Sequence, residues 1–351
     1  MQRIGEWCVS LKAEGFGVLT YLFFILITFF TFVLCVCIGS VTIPITDTLL
    51  VIWNIIWDLP IPEGIAHSII VHVRIPRIMC VALVGAALAL CGAAMQGLLR
   101  NPLADGSTLG VSSGAALGAC LAIAFGISIP WVPKGGTMAM AMLFAFLSLV
   151  IVLSLAYSID LSLSTNTIIL LGVIYTMFMS SIITLVIAFS GEQLKHIMFW
   201  TMGSLAGSTY FDALVLIISI IICGMLLLSY SREFNAFAIG EQNARHVGVN
   251  VRRVKIITMV CISALIGVSV SIGGTIAFVG LVIPHMTRML VGPNHSRLLP
   301  ASLFFGAVFL MLADLVSRIL LSPLELPIGV VTSFVGSIVF VYIFSRARRV
   351  Q

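Results

Sequence analysis

Asp314 and Arg318 are an acidic and a basic residue inside one apolar stretch, and their spacing would allow an ion pair or a proton relay. They lie four residues apart, so on a helix their side chains face the same side. The acid precedes the base, which is the favourable order for an ion pair along a helix. A proton- or sodium-coupled carrier would usually have further carboxylates inside its membrane spans, and the other apolar stretches have none. We therefore interpret the two residues as a structural pair rather than as a proton relay.

No motif in the sequence indicates catalysis, nucleotide binding or metal binding. A P-loop requires a lysine between glycine and Ser or Thr, and no lysine here follows a glycine. The six histidines show no HxxxH or HExxH spacing, and the eight cysteines show no CxxC pair. We expect the cysteines to be small buried apolar residues rather than metal ligands. The chain is predicted not to be an enzyme, and ATP, if it drives the chain, must bind a separate subunit.

The polar side chains are embedded in a sequence dominated by apolar residues. Of the 351 residues, 60% are hydrophobic and 9% are charged, whereas a soluble domain has about 25% charged residues. Too few charges remain to cover a soluble surface, so the lipid bilayer must be the main solvent. The net charge of +5 does not indicate nucleic acid binding, because the basic residues lie at the ends of apolar runs.

The apolar runs predict an all-α polytopic membrane protein with one transmembrane domain over residues 1–351. A span needs roughly 20 apolar residues, which gives about ten candidates. These are Val18–Ile38, Arg77–Leu99, Leu109–Ile129, Thr137–Tyr157, Thr167–Phe189, Ala213–Tyr230, Val254–Ile272, Thr275–Met289, Pro300–Leu320 and Ile328–Phe344. Most Lys and Arg residues fall on one side of such a bundle, so the positive-inside rule predicts that both termini, including Met1–Gly17, are cytoplasmic.

The longest polar interruption is Ser231–Lys255, which falls on the predicted cytoplasmic side. Gly240 begins a short helix-compatible piece within it, and Gly248 has the position of a C-terminal stop. A basic, partly helical loop between two spans could be the docking surface of a soluble partner. It could equally be a solvated loop that follows the positive-inside rule.

Three arginines fall on the predicted outer side, against the same rule. Arg74 and Arg77 form the sequence RIPR, and Arg318 ends the sequence DLVSR. Their side chains could snorkel to the membrane interface, or they could form an outward-facing basic patch for an acidic partner.

Two short connectors lie on the predicted inner side. Asn101–Asp105 contains Pro102, which cannot easily continue a helix, and Asn101, which can hydrogen-bond where the backbone breaks. Leu161–Asn166 is short and uncharged. Asn101–Asp105 is either a simple helix connector or a constriction at the cytoplasmic exit of a pathway. Leu161–Asn166 is small enough to form a movable plug.

The motifs from Arg74 to Phe344 resemble those of the FecCD-type permease subunits of ABC importers for iron chelates and cobalamin. The blocks that carry the resemblance are RIPR (Arg74–Arg77), GAALALCGAAMQGLLRNPLAD (Gly85–Asp105), LGVSSGA (Leu109–Ala115), WTMGSL (Trp200–Leu205), GEQNARHVGVNVRRVK (Gly240–Lys255), GTIAFVGLVIPHMTRMLVG (Gly274–Gly292), LLPASLFFGA…ADLVSR (Leu298–Arg318) and ELPIGVVT (Glu325–Thr332). Several long motifs in one order are far more specific than a single motif.

This resemblance implies ten helices per subunit in the inner membrane of a bacterium. It implies a second permease copy, two cytoplasmic ATPases that bind ATP and Mg, and an extracytoplasmic binding protein. The chain itself would bind no cofactor or metal. A ferric siderophore or similar iron chelate is the favoured cargo, with cobalamin or haem as alternatives and a secondary carrier as the alternative from another class.

The resemblance also assigns roles to three groups of residues. Arg74, Arg77 and Arg318 are expected to meet glutamates of the binding protein. Asn101, Leu103, Thr165 and Asn166 are expected to form the cytoplasmic gate. The residues expected to couple to the ATPase are Gly240, Glu241, Ala244, Arg245, Gly248, Val249, Arg252 and Arg253.

Overall fold

The chain folds into helices joined by short connectors. The computed structural model describes residues 15–57, 59, 64–130, 134–161 and 163–349. Within these residues the helices are α1 (Val18–Cys37), α2 (Ile45–Ile56), α3 (Ile65–Leu99), α4 (Val111–Ala124), α5 (Gly135–Ile159), α6 (Thr165–Phe189), α7 (Leu194–Thr201), α8 (Tyr210–Ser229), α9 (Ser231–Ala238), α10 (Glu241–His246), α11 (Val251–Gly273), α12 (Val279–Val291), α13 (His295–Ile319) and α14 (Ile328–Arg349).

Seven of these helices are long and apolar enough to cross a membrane, counted over the described residues. They are α1, α3, α5, α6, α8, α11 and α13. Shorter apolar helices occur in α2, α4, α12 and α14. The prediction of an all-α polytopic bundle is confirmed, and the predicted number of about ten spans agrees roughly with this set.

The residues Ile75–Leu99 of α3 form the centre of the bundle. Most of them are buried, and they pack against α11, α12 and α13. Glycines allow the closest approaches, because a Cβ on Gly85 would lie 2.3 Å from the Gly306 carbonyl oxygen, and one on Gly92 would lie 1.8 Å from the Gly280 carbonyl oxygen. Small residues at helix crossings are the usual way for membrane helices to pack closely.

Polar side chains cap several of the helices at their N-termini. Thr209 and Asp212 form a reciprocal capping box at the start of α8, which satisfies main-chain N–H groups that have no partner within the helix. Asn250 accepts a hydrogen bond from the Arg253 N–H at the start of α11, and Asn294 accepts one from the Ser296 N–H at the start of α13.

The predicted start of the second span at Arg77 is wrong, because α3 begins twelve residues earlier at Ile65. Pro76 would disfavour a helix that continues through it, since a proline ring clashes with the carbonyl four residues before it. In the structure a single wide turn of π-helix, Ile70–Arg74, directly precedes Pro76. Such a turn changes the local main-chain geometry and allows the helix to continue through the proline.

Two predicted spans are shorter than expected. The helix predicted from Thr275 begins at Val279, because Gly274 and Phe278 adopt positive φ angles of 70° and 68° that interrupt the helix. The span predicted over Leu109–Ile129 is only α4, which starts after Gly110 (φ 70°). The structure therefore has a non-helical stretch between α11 and α12.

Helices α2, α7 and α9 were not predicted as separate elements. The predicted polar loop Ser231–Lys255 contains α9 and α10 and ends inside α11. Of the predicted cytoplasmic segment Met1–Gly17, residues 1–14 lie outside the described residues.

Candidate functional site

The predicted site residues lie at the two ends of α3. Arg77 is in the first turn of its Ile75–Leu99 part, and Asn101 follows its last residue by two positions. Twenty-five helical residues span about 38 Å at 1.5 Å per residue. The predicted docking residues and the predicted gate residues are therefore on opposite sides of the bundle. We call these sides the Arg77 end and the Arg100 end.

A buried ion network occupies the Arg77 end. Asp314, which is fully buried, lies 2.9 Å from Arg77 Nη2 and 2.8 Å from Arg318 Nε. Arg77 Nη1 also contacts Glu325 Oε2 at 2.7 Å. The Asp314–Arg318 pair predicted from the sequence is therefore confirmed, and Arg77 and Glu325 extend it to α3 and the α13–α14 connector.

Arg74 and Arg318 also cap the C-terminal end of α1. The last carbonyls of a helix have no partner within the helix, and they carry the negative end of its dipole. The acceptor carbonyls are those of Val36 (2.8 Å), Cys37 (3.1 Å) and Val41 for Arg74, and those of Cys35 (2.9 Å) and Ile38 (2.7 Å) for Arg318. The two guanidinium groups therefore hold α1 against the bundle.

Arg74, Arg77 and Arg318 do not form an exposed basic patch in the structure, although the sequence left open either snorkelling side chains or an outward-facing patch. Arg74, Arg77 and Arg318 are 5%, 7% and 2% exposed, because their charges are neutralised by acids and carbonyls of the same chain. Glu325 is the partly exposed member of the network. Burial raises the pKa of its carboxyl group. The hydrogen bond and the charge of Arg77 lower this pKa by more, so the net shift is downward. Glu325 therefore remains a carboxylate at neutral pH, and the docking role of the arginines stays a prediction.

Replacing Glu325 by Gln should make Arg77 more available to a carboxylate of the binding protein. The carboxylate of Glu325 accepts a hydrogen bond from the same guanidinium group, that of Arg77, to which an incoming glutamate would bind. We expect docking of the binding protein to the reconstituted transporter to tighten by about 2–5-fold, the effect of a partly exposed ion pair. Surface plasmon resonance measures this, with Glu192→Gln as the matched control at an exposed position. Weaker docking of Glu325→Gln would contradict the competition.

The Arg100 end contains a polar cavity of about 580 Å³. It brings predicted gate residues and predicted coupling residues to one place, although they are about 75 positions apart in the sequence. The lining residues are Arg100, Ser164, Thr165, Asn166, Gly240, Glu241, Gln242, Asn243 and Arg245. The sequence did not predict this shared cavity, because nothing in hydropathy shows which connectors meet.

Asn101 and Leu103 form a tight turn at the same end. The Asn101 side-chain oxygen accepts a hydrogen bond from the Leu103 N–H at 2.9 Å, and the Asn101 carbonyl accepts one from the Ala104 N–H at 3.1 Å. Leu103 is 53% exposed. Neither Asn101 nor Leu103 lines the cavity, so the four predicted gate residues separate into two pairs.

The predicted turn residues of the coupling segment have the expected geometry. Gly240 precedes α10 with φ 113°, and Gly248 follows it with φ 89°. The Val249 N–H binds the Ala244 carbonyl and the Gly248 N–H binds the Arg245 carbonyl, both at 3.0 Å. These two bonds form a Schellman motif, in which glycine is preferred at the left-handed position.

The side chains of α10 and its surroundings are mostly exposed. Ala244 is buried, while Arg245, Gly248, Arg252 and Arg253 are exposed. Arg252 lies over the ring of Tyr157 at 5.1 Å, a cation–π contact. The exposed face of α10 is thus open to a soluble partner, whereas Ala244 fixes the helix to the bundle.

The structure has a bundle of apolar helices with a buried ion-pair network at one end and an exposed short helix beside a polar cavity at the other, the architecture of a multi-pass membrane protein. Residues 26–346 match the FecCD transport family, and the chain belongs to this family. Its members are the non-enzymatic membrane subunits of ABC transporters, which work with separate ATPase and binding-protein partners.

Individual relatives agree with this assignment. The chain is 39% identical to the uncharacterized ABC transporter permease protein YvrB of Bacillus subtilis, covering 89% of each chain. It is 36% identical to the cobalamin import system permease protein BtuC of Halobacterium salinarum, covering 83% of this chain and 76% of that one. A solved ABC transporter in an inward-facing conformation aligns with TM-score 0.80 and 33% identity over 93% of this chain and 98% of that one.

Proposed function

We propose that this chain is the permease through which an ABC importer moves a ferric siderophore or similar iron chelate across the inner membrane of a bacterium. Two copies of the chain would form the pathway, with two ATPases at the Arg100 end and a binding protein at the Arg77 end. The observation that carries the proposal is the family match over residues 26–346. Membership of an ABC permease family also disfavours the alternative of a secondary carrier.

The iron cargo is supported by the names of several relatives. The structural relative is described as of the metal-chelate type. An iron(3+)-hydroxamate permease of Bacillus subtilis is 35% identical over 85% of this chain, and a hemin permease of Yersinia pestis is 33% identical over 84%. The cobalamin permease at 36% identity makes cobalamin the second candidate. All three cargos are large, metal-containing molecules.

The mechanism follows from the separation of the two ends. ATP binding closes the ATPases and moves α10, which they contact. Rigid helices transmit the movement toward the gate. The binding protein releases its cargo at the Arg77 end, and the connector before α6 opens at the Arg100 end. A pathway for a bulky chelate must interact weakly with it, because tight binding would prevent release. The low content of charged residues in this chain suits such a pathway.

A parallel uptake experiment tests the cargo. The chain is reconstituted into proteoliposomes with its own ATPase and binding protein, and radiolabelled ferric siderophores, hemin, cobalamin and molybdate are offered separately. Uptake of a ferric siderophore that requires both ATP and the binding protein is the expected result. Uptake of cobalamin or molybdate alone would replace the iron assignment, and uptake without ATP would contradict the proposed importer.

Replacing Gly248 by Val should separate ATP hydrolysis from transport. Gly248 has φ 89° with no atom near its would-be Cβ, so the effect is main-chain strain of about 1–3 kcal/mol within the coupling segment. We expect ATPase activity to persist while cargo moved per ATP decreases several-fold. Gly126→Val is the matched control, because Gly126 has φ 63°, equally open surroundings and a position away from the Arg100 end. An equal decrease in cargo moved per ATP in both variants would show that main-chain strain outside the coupling segment also uncouples transport.

A further inference from the structure

Lys255 is a fully buried lysine near the start of α11. Its neighbours Arg252 and Arg253 are exposed, whereas Val251, Val254 and Thr258 are buried on the same helix face as Lys255. The sequence Val-x-x-Val-Lys-x-x-Thr thus places a charge on the apolar face. This spacing is the signal by which Lys255 could have been distinguished from the exposed basic residues beside it.

The ammonium group of Lys255 connects two functional segments. Its Nζ lies 2.7 Å from Glu241 Oε1, in the first turn of α10. The same Nζ donates a hydrogen bond of 2.8 Å to the main-chain carbonyl of Leu163, just before α6. Thr165 Oγ1 donates to the same Glu241 oxygen at 3.3 Å. The coupling helix and the predicted gate are therefore joined through one buried charge.

The carbonyl that Lys255 holds belongs to a constrained turn. Leu163 adopts φ 50°, a left-handed conformation that is uncommon for a branched side chain. Asp160 stabilises this turn, because its carbonyl accepts the Leu163 N–H at 2.9 Å and its side chain accepts the Ser164 N–H at 3.1 Å. A turn with few allowed main-chain alternatives changes shape in discrete steps rather than gradually.

We propose that Lys255 is the positioning residue that transmits movement of α10 to the gate segment Leu163–Asn166. The inference rests on the proposed function, in which the ATPases move α10. A buried ammonium group that loses its partners costs far more free energy than an exposed one. When α10 moves, Glu241, Lys255 and the Leu163 carbonyl must therefore move together or exchange partners together.

Distances between spin labels test this transmission without requiring any cargo. The complete transporter, with the native cysteines replaced, carries nitroxides at Leu161 and Phe125 for the gate, or at Val247 and Phe125 for the coupling helix. All three positions are well exposed, and Phe125 lies near the opposite end of α5 from Leu161. Pulsed electron paramagnetic resonance then compares the nucleotide-free and ATP-bound states.

In the unsubstituted transporter, we expect ATP to change both distances. In Lys255→Met, which keeps an apolar side chain of similar length, we expect ATP to change only the Val247–Phe125 distance. Cargo moved per ATP should fall at least about fivefold, the lower end of the range for coupling between two sites. Lys195→Met is the matched control, since it removes an exposed lysine that contacts neither segment.

A second variant covers the case in which Lys255→Met does not fold. Glu241→Gln keeps an acceptor oxygen on a partly exposed side chain but removes its charge, and it should reduce the gate response in the same direction. The proposal is overturned if either variant folds and ATP still changes its gate distance as much as in the unsubstituted transporter. Failure of the iron assignment would appear differently, as normal distance changes without siderophore uptake.

Discussion

Replacing Asp314 by Asn will destabilise the protein more than any other single charge removal at the Arg77 end. Asp314 is fully buried between the guanidinium groups of Arg77 and Arg318. Asparagine has similar volume but no charge, so Arg77 would keep only Glu325 as a charged partner. Arg318 would keep only the main-chain carbonyls of Cys35 and Ile38. Removing one partner from a buried ion pair costs about 3–5 kcal/mol. We expect a large decrease in the apparent unfolding midpoint in detergent and a loss of assembled transporter.

The matched control is Asp212→Asn, which makes the same chemical change at another buried aspartate. Asp212 serves the N-terminal capping box of α8 and is not part of the ion network at the Arg77 end. Loss of a cap costs about 1 kcal/mol, so the control should shift the midpoint much less. Equal shifts for the two variants would contradict the special role of the network.

Replacing Gly92 by Ala will prevent close packing of α3 against α12. The added methyl group would lie 1.8 Å from the Gly280 carbonyl oxygen, so the two helices must separate. Overpacking of this kind costs about 1–3 kcal/mol or more, although Gly→Ala in a helix normally gains up to about 1 kcal/mol. We expect lower yield of folded protein and a lower unfolding midpoint, measured by tryptophan fluorescence in detergent.

Gly224→Ala provides the comparison within α8. Its added methyl group would meet the end of the Leu90 side chain at 3.3 Å and a methyl group of Ile220 at 3.5 Å, and side chains can adjust to such contacts more easily than a main-chain carbonyl. The midpoint of this variant should stay the same or rise slightly. A similar decrease in Gly224→Ala would mean that helix glycines in this protein are required for reasons other than the carbonyl contact.

Local features of the structure could be predicted from the sequence. The Asp314–Arg318 pair was correct because its two residues lie one turn apart on the same helix. The turns at Gly240 and Gly248 were correct because glycine is favoured where the main chain becomes left-handed. Most membrane spans were found because their apolar lengths match the bilayer thickness.

Long-range contacts could not be predicted in the same way. Arg77 and Glu325 are 248 positions apart, and hydropathy does not show which helices pack together. The sequence therefore could not distinguish snorkelling arginines from an outward-facing basic patch, since only their side of the membrane could be inferred. Similarly, the interior position of Lys255 depends on the meeting of α10 with the connector before α6.

The arginine caps on α1 determine how the first part of the protein can be altered. Only four residues of α1 are buried, namely Phe24, Thr31, Cys35 and Val36, which would suggest that the bundle does not need this helix. Yet Arg74 and Arg318 bind its terminal carbonyls from inside the bundle. Deleting the helix would remove buried carbonyl partners from both guanidinium groups, whereas an affinity tag fused ahead of Gly15 leaves every one of these contacts in place.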